Sequence, residues 1–218
     1  MSDTRTNRDL ASLARDVKVL KIYALIVTVS LGAVALMGAR SAQDSRELTV
    51  ERINVVDSHG VTRLVIANPE HFPLPRIDGK EYPRAVAPAG MVFYDSNGSE
   101  IGGLALSGNA DRKLSALAFD YPNYDALGLL TQVGANDQSA TAGLVINSRA
   151  PREMSLPQAG KVVQRRVAVL NENENAEVLL ADGQGHDRIK MIVDDHGDPS
   201  IQILDAQGKV VFRAPAQQ

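Results

Sequence analysis

The 218-residue chain contains no cysteine and no tryptophan, and its aromatic residues amount to only 4% of the sequence. Without cysteine there is no disulfide framework, no thiolate nucleophile and no cysteine-ligated zinc or iron–sulfur centre, while both reducing and oxidising compartments stay open. Sparse aromatics leave few stacking platforms for sugars or bases, so a core must be built from Val, Ile, Leu and Ala. An excess of positive charge is missing too: 23 Lys and Arg stand against 26 Asp and Glu, for a net charge of −3. Nucleic-acid binding draws its affinity from clustered cations that release counterions, so this composition argues against it.

What is present begins with a long apolar run. Ile22 to Ala39, IYALIVTVSLGAVALMGA, carries no charge, and as a helix it would be about 27 Å long, close to the thickness of a bilayer's hydrocarbon. Thr28 and Ser30 can return their hydroxyls to backbone carbonyls of the same helix, so they do not oppose burial in lipid. A cleaved signal peptide has a shorter apolar region, about 7–15 residues, after a short basic start. Here the run is longer and follows a polar tail, and the small-x-small site Ala39-Arg40-Ser41 is a poor one for cleavage. The reading is therefore a retained signal-anchor, with a cleaved signal and a buried soluble helix as its rivals. Arg5, Arg8, Arg15, Lys18 and Lys21 precede the run and Arg40, Arg46 and Arg52 follow it, a bias toward a cytoplasmic N-terminus. The chain divides into a cytoplasmic tail (1–21), a transmembrane helix in the lipid bilayer (22–39), a linker (40–46) and an extracytoplasmic β-rich domain (47–214).

Downstream the pattern changes to short β-branched alternating runs, at Arg52–Val55, Arg63–Ile66, Met91–Tyr94, Ile189–Val193 and Ser200–Leu204. Each is too short for a good helix and fits a half-buried strand. Beside them recurs Asp-x-x-Gly: Asp57 and Gly60, Asp95 and Gly98, Asp182 and Gly185, Asp194 and Gly197, Asp205 and Gly208. Asp at the first position of a type I turn caps it through its carboxylate, and Gly three residues on takes the left-handed conformation that completes a bulged hairpin. These turns predict an all-β domain of antiparallel hairpins, a meander in its C-terminal part, with an irregular solenoid-like arrangement as a variant because the earlier spacings are uneven.

Three segments interrupt the strands. Asn68 to Gly90 holds five prolines with His71, Phe72 and Tyr82 and is read either as a binding loop or as an arm protecting a sheet edge. Tyr121–Asp125 breaks a strand pattern at Pro122. Ser148–Arg166 is a mildly basic loop, expected to be a solvated surface.

The segments ERINVVDSHGVTRLVIANPEHFP, GMVFYDSNGSEIGGLALSG and SIQILDAQGKVVFRAP resemble those of a group of uncharacterised bacterial single-pass membrane proteins, with an N-terminal anchor followed by strand-Asp-x-x-Gly-strand units. The likeness spans most of residues 47–213. It implies this architecture and a bacterial envelope setting; the group has no assigned activity and so lends no catalytic residues.

Candidate chemistry is thin. His59, His186 and His196 lie in or beside the turns, where exposed polar residues are expected, and no two share a metal-binding spacing on one strand face. Asp194, Asp195 and Asp198 around Gly197 form the best candidate cation site, but they lack the alternating acids and distal Glu of a calcium loop. Ser99 and Ser107 are not set in a nucleophile elbow, and no glycine-rich loop opens a helix to hold phosphate. No catalytic residue and no cofactor is expected. The function anticipated is a membrane-anchored structural or protein-interaction role toward an envelope partner or a parallel homo-oligomer. Leu10, Leu13, Val17 and Leu20 would form a helical seam for that oligomer, leading into the small-residue ridge Ala24, Thr28 and Gly32. The alternatives are a carbohydrate- or divalent-cation-binding β module and an envelope hydrolase.

Overall fold

The computed structural model describes residues 3–41, 47–84, 86–108 and 112–216, with side chains from 13 to 35 in the first stretch and throughout the others except at 136. Linker residues 42–46, with Arg46, lie outside the described residues, as do the side chains of Arg5, Arg8, Leu10, Ala39 and Arg40. Two compact units are present, Met1–Thr49 and Val50–Gln218.

The first unit is one helix, α1 (Asp3–Ser41), which runs unbroken from the tail into the apolar segment. Leu13–Ala35 is long and apolar enough to cross a membrane, with a mean hydropathy of 1.9. Inside it the Thr28 hydroxyl donates to the Ala24 carbonyl oxygen at 2.8 Å, which satisfies the hydroxyl within its own helix.

The second unit is mostly strand. Its elements are β1 (Arg52–Val56), β2 (Thr62–Ala67), β3 (Arg76–Ile77), β4 (Lys80–Glu81), β5 (Ala89–Tyr94), β6 (Glu100–Gly108), β7 (Lys113–Tyr121), β8 (Tyr124–Val133) and β9 (Ala140–Asn147). A helix α2 (Leu156–Val162) precedes β10 (Arg165–Glu172), β11 (Asn175–Ala181), β12 (Asp187–Val193), β13 (Pro199–Leu204) and β14 (Val210–Ala214). Twelve strands form one antiparallel meander in the order β1-β2-β5-β6-β7-β8-β9-β10-β11-β12-β13-β14, and β3-β4 is a separate small hairpin. β1 and β14 are the two open edges; the sheet neither closes into a barrel nor winds into a solenoid.

The Asp-x-x-Gly units end the hairpins by one repeated geometry. In each, the glycine N–H donates to the carbonyl of the Asp three residues before, from Gly60 to Asp57 at 3.0 Å through to Gly208 to Asp205 at 3.0 Å. Each Asp Oδ1 also accepts the N–H groups two and four residues on, as Asp205 does from Gln207 and Lys209 at 2.9 Å. All five glycines have φ between 76° and 91°, where a side chain is strained and glycine is not. The register shifts by a residue beside four of these turns, the local bulge that such a turn brings.

One interruption differs from the sequence reading and one does not. Pro122 ends the strand pattern as expected: with Asn123 it occupies the tight turn between β7 and β8. The basic segment 148–166 holds α2, started by Ser155 and Gln158: the Gln158 side chain accepts the Ser155 N–H at 2.9 Å and the hydroxyl at 2.8 Å.

The two faces of the sheet are unlike. On one, which we call the covered face, lie the buried strand residues Val65, Ala67, Val92, Tyr94, Ala168, Leu170, Leu179 and Ala181. Pairing carries that face through Val65, Val92, Gly103, Ala118, Gly128, Val145, Ala168 and Leu179, and its small central residues leave room for the arm described below. On the other face, one ladder of paired residues crosses all twelve strands: Ile53, Ile66, Met91, Leu104, Leu117, Leu129, Leu144, Val169, Val178, Met191, Ile201 and Ala214. A parallel ladder from Val55 through Phe119, Ile146 and Leu180 to Phe212 is equally free of polar side chains, with Gly102 as its one glycine. Successive residues of a strand point to opposite faces, so Ala168 is fully buried while its neighbour Val169 is 45% exposed.

Candidate functional site

Two features stand out from the meander: a charged clasp under the arm on the covered face, and the bare apolar face behind it.

The arm, Asn68–Gly90, does not project from an edge; it lies on the sheet. Asn68 caps a short 3-10 turn by accepting the His71 N–H at 3.1 Å, and Phe72 then packs on the cluster of Val65, Ala67, Val92 and Tyr94. Asp78 and Gly79, with φ of 48° and 76°, turn β3 into β4, and the Asp78 N–H donates to Ser99 Oγ at 2.9 Å. Ser99, buried in the Asp95 turn, is thus a mooring point for the arm.

Arg84 completes the clasp. Its Nη2 donates to both carboxylate oxygens of Glu100, at 2.9 and 3.1 Å, and its Nε donates to the Pro73 carbonyl at 3.1 Å. The guanidinium lies 5.0 Å from the centroid of Phe72, within cation–π range. Glu100 shares the covered face with Asp120 and Asp125, a register pair at the end of the β7–β8 hairpin. A cavity of about 140 Å³ lies among Arg84, these three carboxyls, Pro75, Ile77 and Leu156 of α2.

One guanidinium serves three carboxyls here, and the electrostatics follow from that imbalance. Burial, then the charges of Asp125 and Glu100, push the Asp120 carboxyl up to about 7. Asp125 is raised by burial against lowering by its hydrogen bond to Asp120 and by Arg84. Glu100 is raised by burial, with Arg84 opposing. The Asp120 Oδ1 is buried without a hydrogen-bond partner, a setting that disfavours the charged carboxylate. Tyr94, paired with Glu100, is pushed up to about 12 by burial and then by the Glu100 charge. Beside the pair, buried Asn123 donates to the carbonyls of Pro151 and Met154 at 2.8 and 2.9 Å, tying the segment before α2 to the hairpin.

Nothing in the sequence points to this cluster. Arg84, Glu100 and Asp120 belong to separate segments, and their spacing matches no motif. Only Asp120 and Asp125 are near neighbours, five residues apart around a Pro-Asn turn.

The residues singled out from sequence lie elsewhere, at turn tips. His59 and His196 donate backbone N–H groups to Asp57 and Asp194 at 2.9 and 3.0 Å, and the His186 Nδ1 lies 3.5 Å from Asp182. Of the candidate cation ligands, Asp194 and Asp195 come together with His196, their ligand atoms within 4.8 Å of one another. Asp198 is not in that group; its N–H donates to Asp194 Oδ1 at 2.8 Å. That carboxylate is already engaged as a turn cap. Asp182 has a further partner in Arg188, whose Nε donates to it at 2.8 Å while Nη1 donates to the Asp205 carbonyl, linking two turns. Desolvation acts to raise the Asp182 carboxyl, but the Arg188 hydrogen bond and the backbone N–H groups of His186 and Gln184 outweigh it and hold it down to about 2.

Comparison of the chain with protein-family models, with curated proteins and with solved structures finds no match.

Proposed function

We propose that the protein is a membrane-anchored structural or interaction protein of the bacterial envelope, held in the bilayer by α1 with its N-terminus cytoplasmic and its sheet outside. The observation that carries this reading is the bare apolar face. Val55, Ile66, Phe119, Leu129, Val169, Leu180, Met191, Ile201, Ile203 and Phe212 of the two ladders are all exposed, and a soluble monomer rarely keeps so large a contiguous apolar strip in water. A surface of this kind serves contact with another macromolecule.

The anchor rests on the apolar length of α1 and on the basic residues that precede it, Arg15, Lys18 and Lys21 among them. An enzyme reading has less support. It rests on the small cavity of about 140 Å³ beside Asp120, where Glu100 is already bonded through both carboxylate oxygens to Arg84. A cation-binding module rests on the convergence of Asp194, Asp195 and His196 alone.

Fractionation, N-terminal sequencing and protease protection test the reading. The expected result is a mature chain that retains residues 22–39 in the membrane fraction, with its sheet digested from the extracytoplasmic side. A mature chain beginning near Gln43 would replace the anchor by a cleaved signal. A calcium-dependent rise in Tm would favour the cation module, because a ligand that binds only the folded state raises its stability.

A further inference from the structure

We infer that the bare face is an interface between copies of this chain, packed apolar ladder against apolar ladder. This rests on the interaction reading above and names the partner.

The size of the strip favours it. Twelve strands at about 4.8 Å spacing make a strip about 53 Å long, and two ladders at about 7 Å each make it about 14 Å wide, giving roughly 700 Å² per copy. That is close to the roughly 800 Å² per partner buried in a stable protein–protein interface. The strip therefore suffices for a stable association without help from the rest of the surface.

The chemistry of the strip narrows the occupant. Neither ladder carries a charge or a polar side chain on any of the twelve strands. An occupant must be extended, uncharged and flat enough to meet a sheet, and the same face of another copy meets each requirement. Domains are built by burying such a face on a second layer. In this chain the covered face has its arm, but among the described residues of the Val50–Gln218 unit nothing lies on the ladders.

Proximity adds to both. Copies held by α1 would share one bilayer and one orientation, which raises their effective concentration and sets them parallel. This places the contact on the sheet face rather than on the arm, which is committed to its own chain by Phe72 and Arg84.

The absence of cysteine makes the test direct. Leu129 in β8 and Leu144 in β9 belong to the two central strands of the twelve, so face-to-face packing brings each near its own equivalent. Leu129→Cys and Leu144→Cys, each in the full chain in native membranes, should give disulfide-linked dimers on mild oxidation. Glu172→Cys, on the covered face, should stay monomeric. The inference is overturned if the two ladder variants cross-link no better than Glu172→Cys. Labelling by a membrane-impermeant maleimide then separates the two ideas. Ladder cysteines that are shielded in membranes but reactive after purification would mean a different partner, leaving the interaction reading in place. Ladder cysteines that react freely in both would remove that reading as well.

Discussion

Asp120 and Asp125 face each other across the β7–β8 hairpin as a register pair on the covered face of the sheet, and burial raises both carboxyls above their ordinary range. Folded Asp120 keeps its proton up to about pH 7, against an ordinary value of 3.8. Between those values the folded chain binds more protons than the unfolded chain. The stability that this protonation contributes is thus full below about pH 4 and is lost as pH rises through 7. Asp125 and Glu100 are displaced in the same direction. Chemical denaturation should show stability falling by roughly 1–3 kcal/mol from pH 4.5 to 7.5, since a tenfold difference in proton affinity between folded and unfolded chains is worth about 1.4 kcal/mol. Asp120→Asn keeps the neutral shape and should flatten that slope. An unchanged slope in the variant would place the proton elsewhere.

This pair also marks the limit of what the sequence discloses. The Asp-x-x-Gly turns were legible because their chemistry is local: a carboxylate, two or three N–H groups and a glycine within five residues. The strands rich in Val and Ile, such as β1, β2, β12 and β13, were legible for the same reason. β6 to β9 were harder to read, because Gly102, Gly103, Gly128, Gly143 and their alanines dilute the β-branched signal, although Gly103, Ala105 and Ala118 are among the small residues that lie beside Phe72 and Arg84 of the arm. Alternation tells which residues of one strand share a face, but the two ladders exist only once twelve registers are set. The clasp needs pairing of β5 with β6 and of β7 with β8, plus an arm folded back across them.

Removing the arm's cation tests the clasp. Arg84→Ala would leave Glu100 half-buried beside two further carboxyls and take the cation from Phe72. A loss of about 2–4 kcal/mol is expected, since an uncompensated buried charge is costly. Arg84→Lys should recover only part of it, because an ammonium cannot reach Glu100 and the Pro73 carbonyl in one planar arrangement. Limited proteolysis should then cut preferentially between residues 68 and 90 in Arg84→Ala. Resistance equal to the wild type in both variants would show that Phe72 and the Asp78–Ser99 bond moor the arm without Arg84.

Two glycines should respond differently to the same change. At Gly208 a Cβ meets nothing within 4 Å, and the strain lies only in its φ of 78°. Gly208→Ala should cost about 1 kcal/mol and Gly208→Val about 1–3 kcal/mol. At Gly143 a Cβ would stand 2.1 Å from the Val169 carbonyl oxygen and 2.8 Å from Leu170 Cα. Both are backbone atoms of the paired strand, so β9 and β10 must separate. Gly143→Ala should therefore destabilise more than Gly208→Val, despite the smaller side chain. The reverse order in thermal denaturation would contradict the register between β9 and β10.

Ala168 and Val169 are consecutive residues of β10 on opposite faces, so a carboxylate at each asks a different question. Ala168 is fully buried, and Ala168→Asp places an unpaired charge against Val145 and Leu179. Burial of that kind costs several kcal/mol, and the variant should fail to fold. Val169 is 45% exposed in the single chain, so Val169→Asp should leave the fold of one copy almost unchanged. Its effect is on association, because two ladders cannot close on each other with paired carboxylates between them. Far-ultraviolet circular dichroism should thus match the wild type for Val169→Asp while sedimentation in detergent shifts from assembly to monomer. A Val169→Asp chain that assembles as the wild type does would mean that the copies do not meet at the ladder, whatever else covers it.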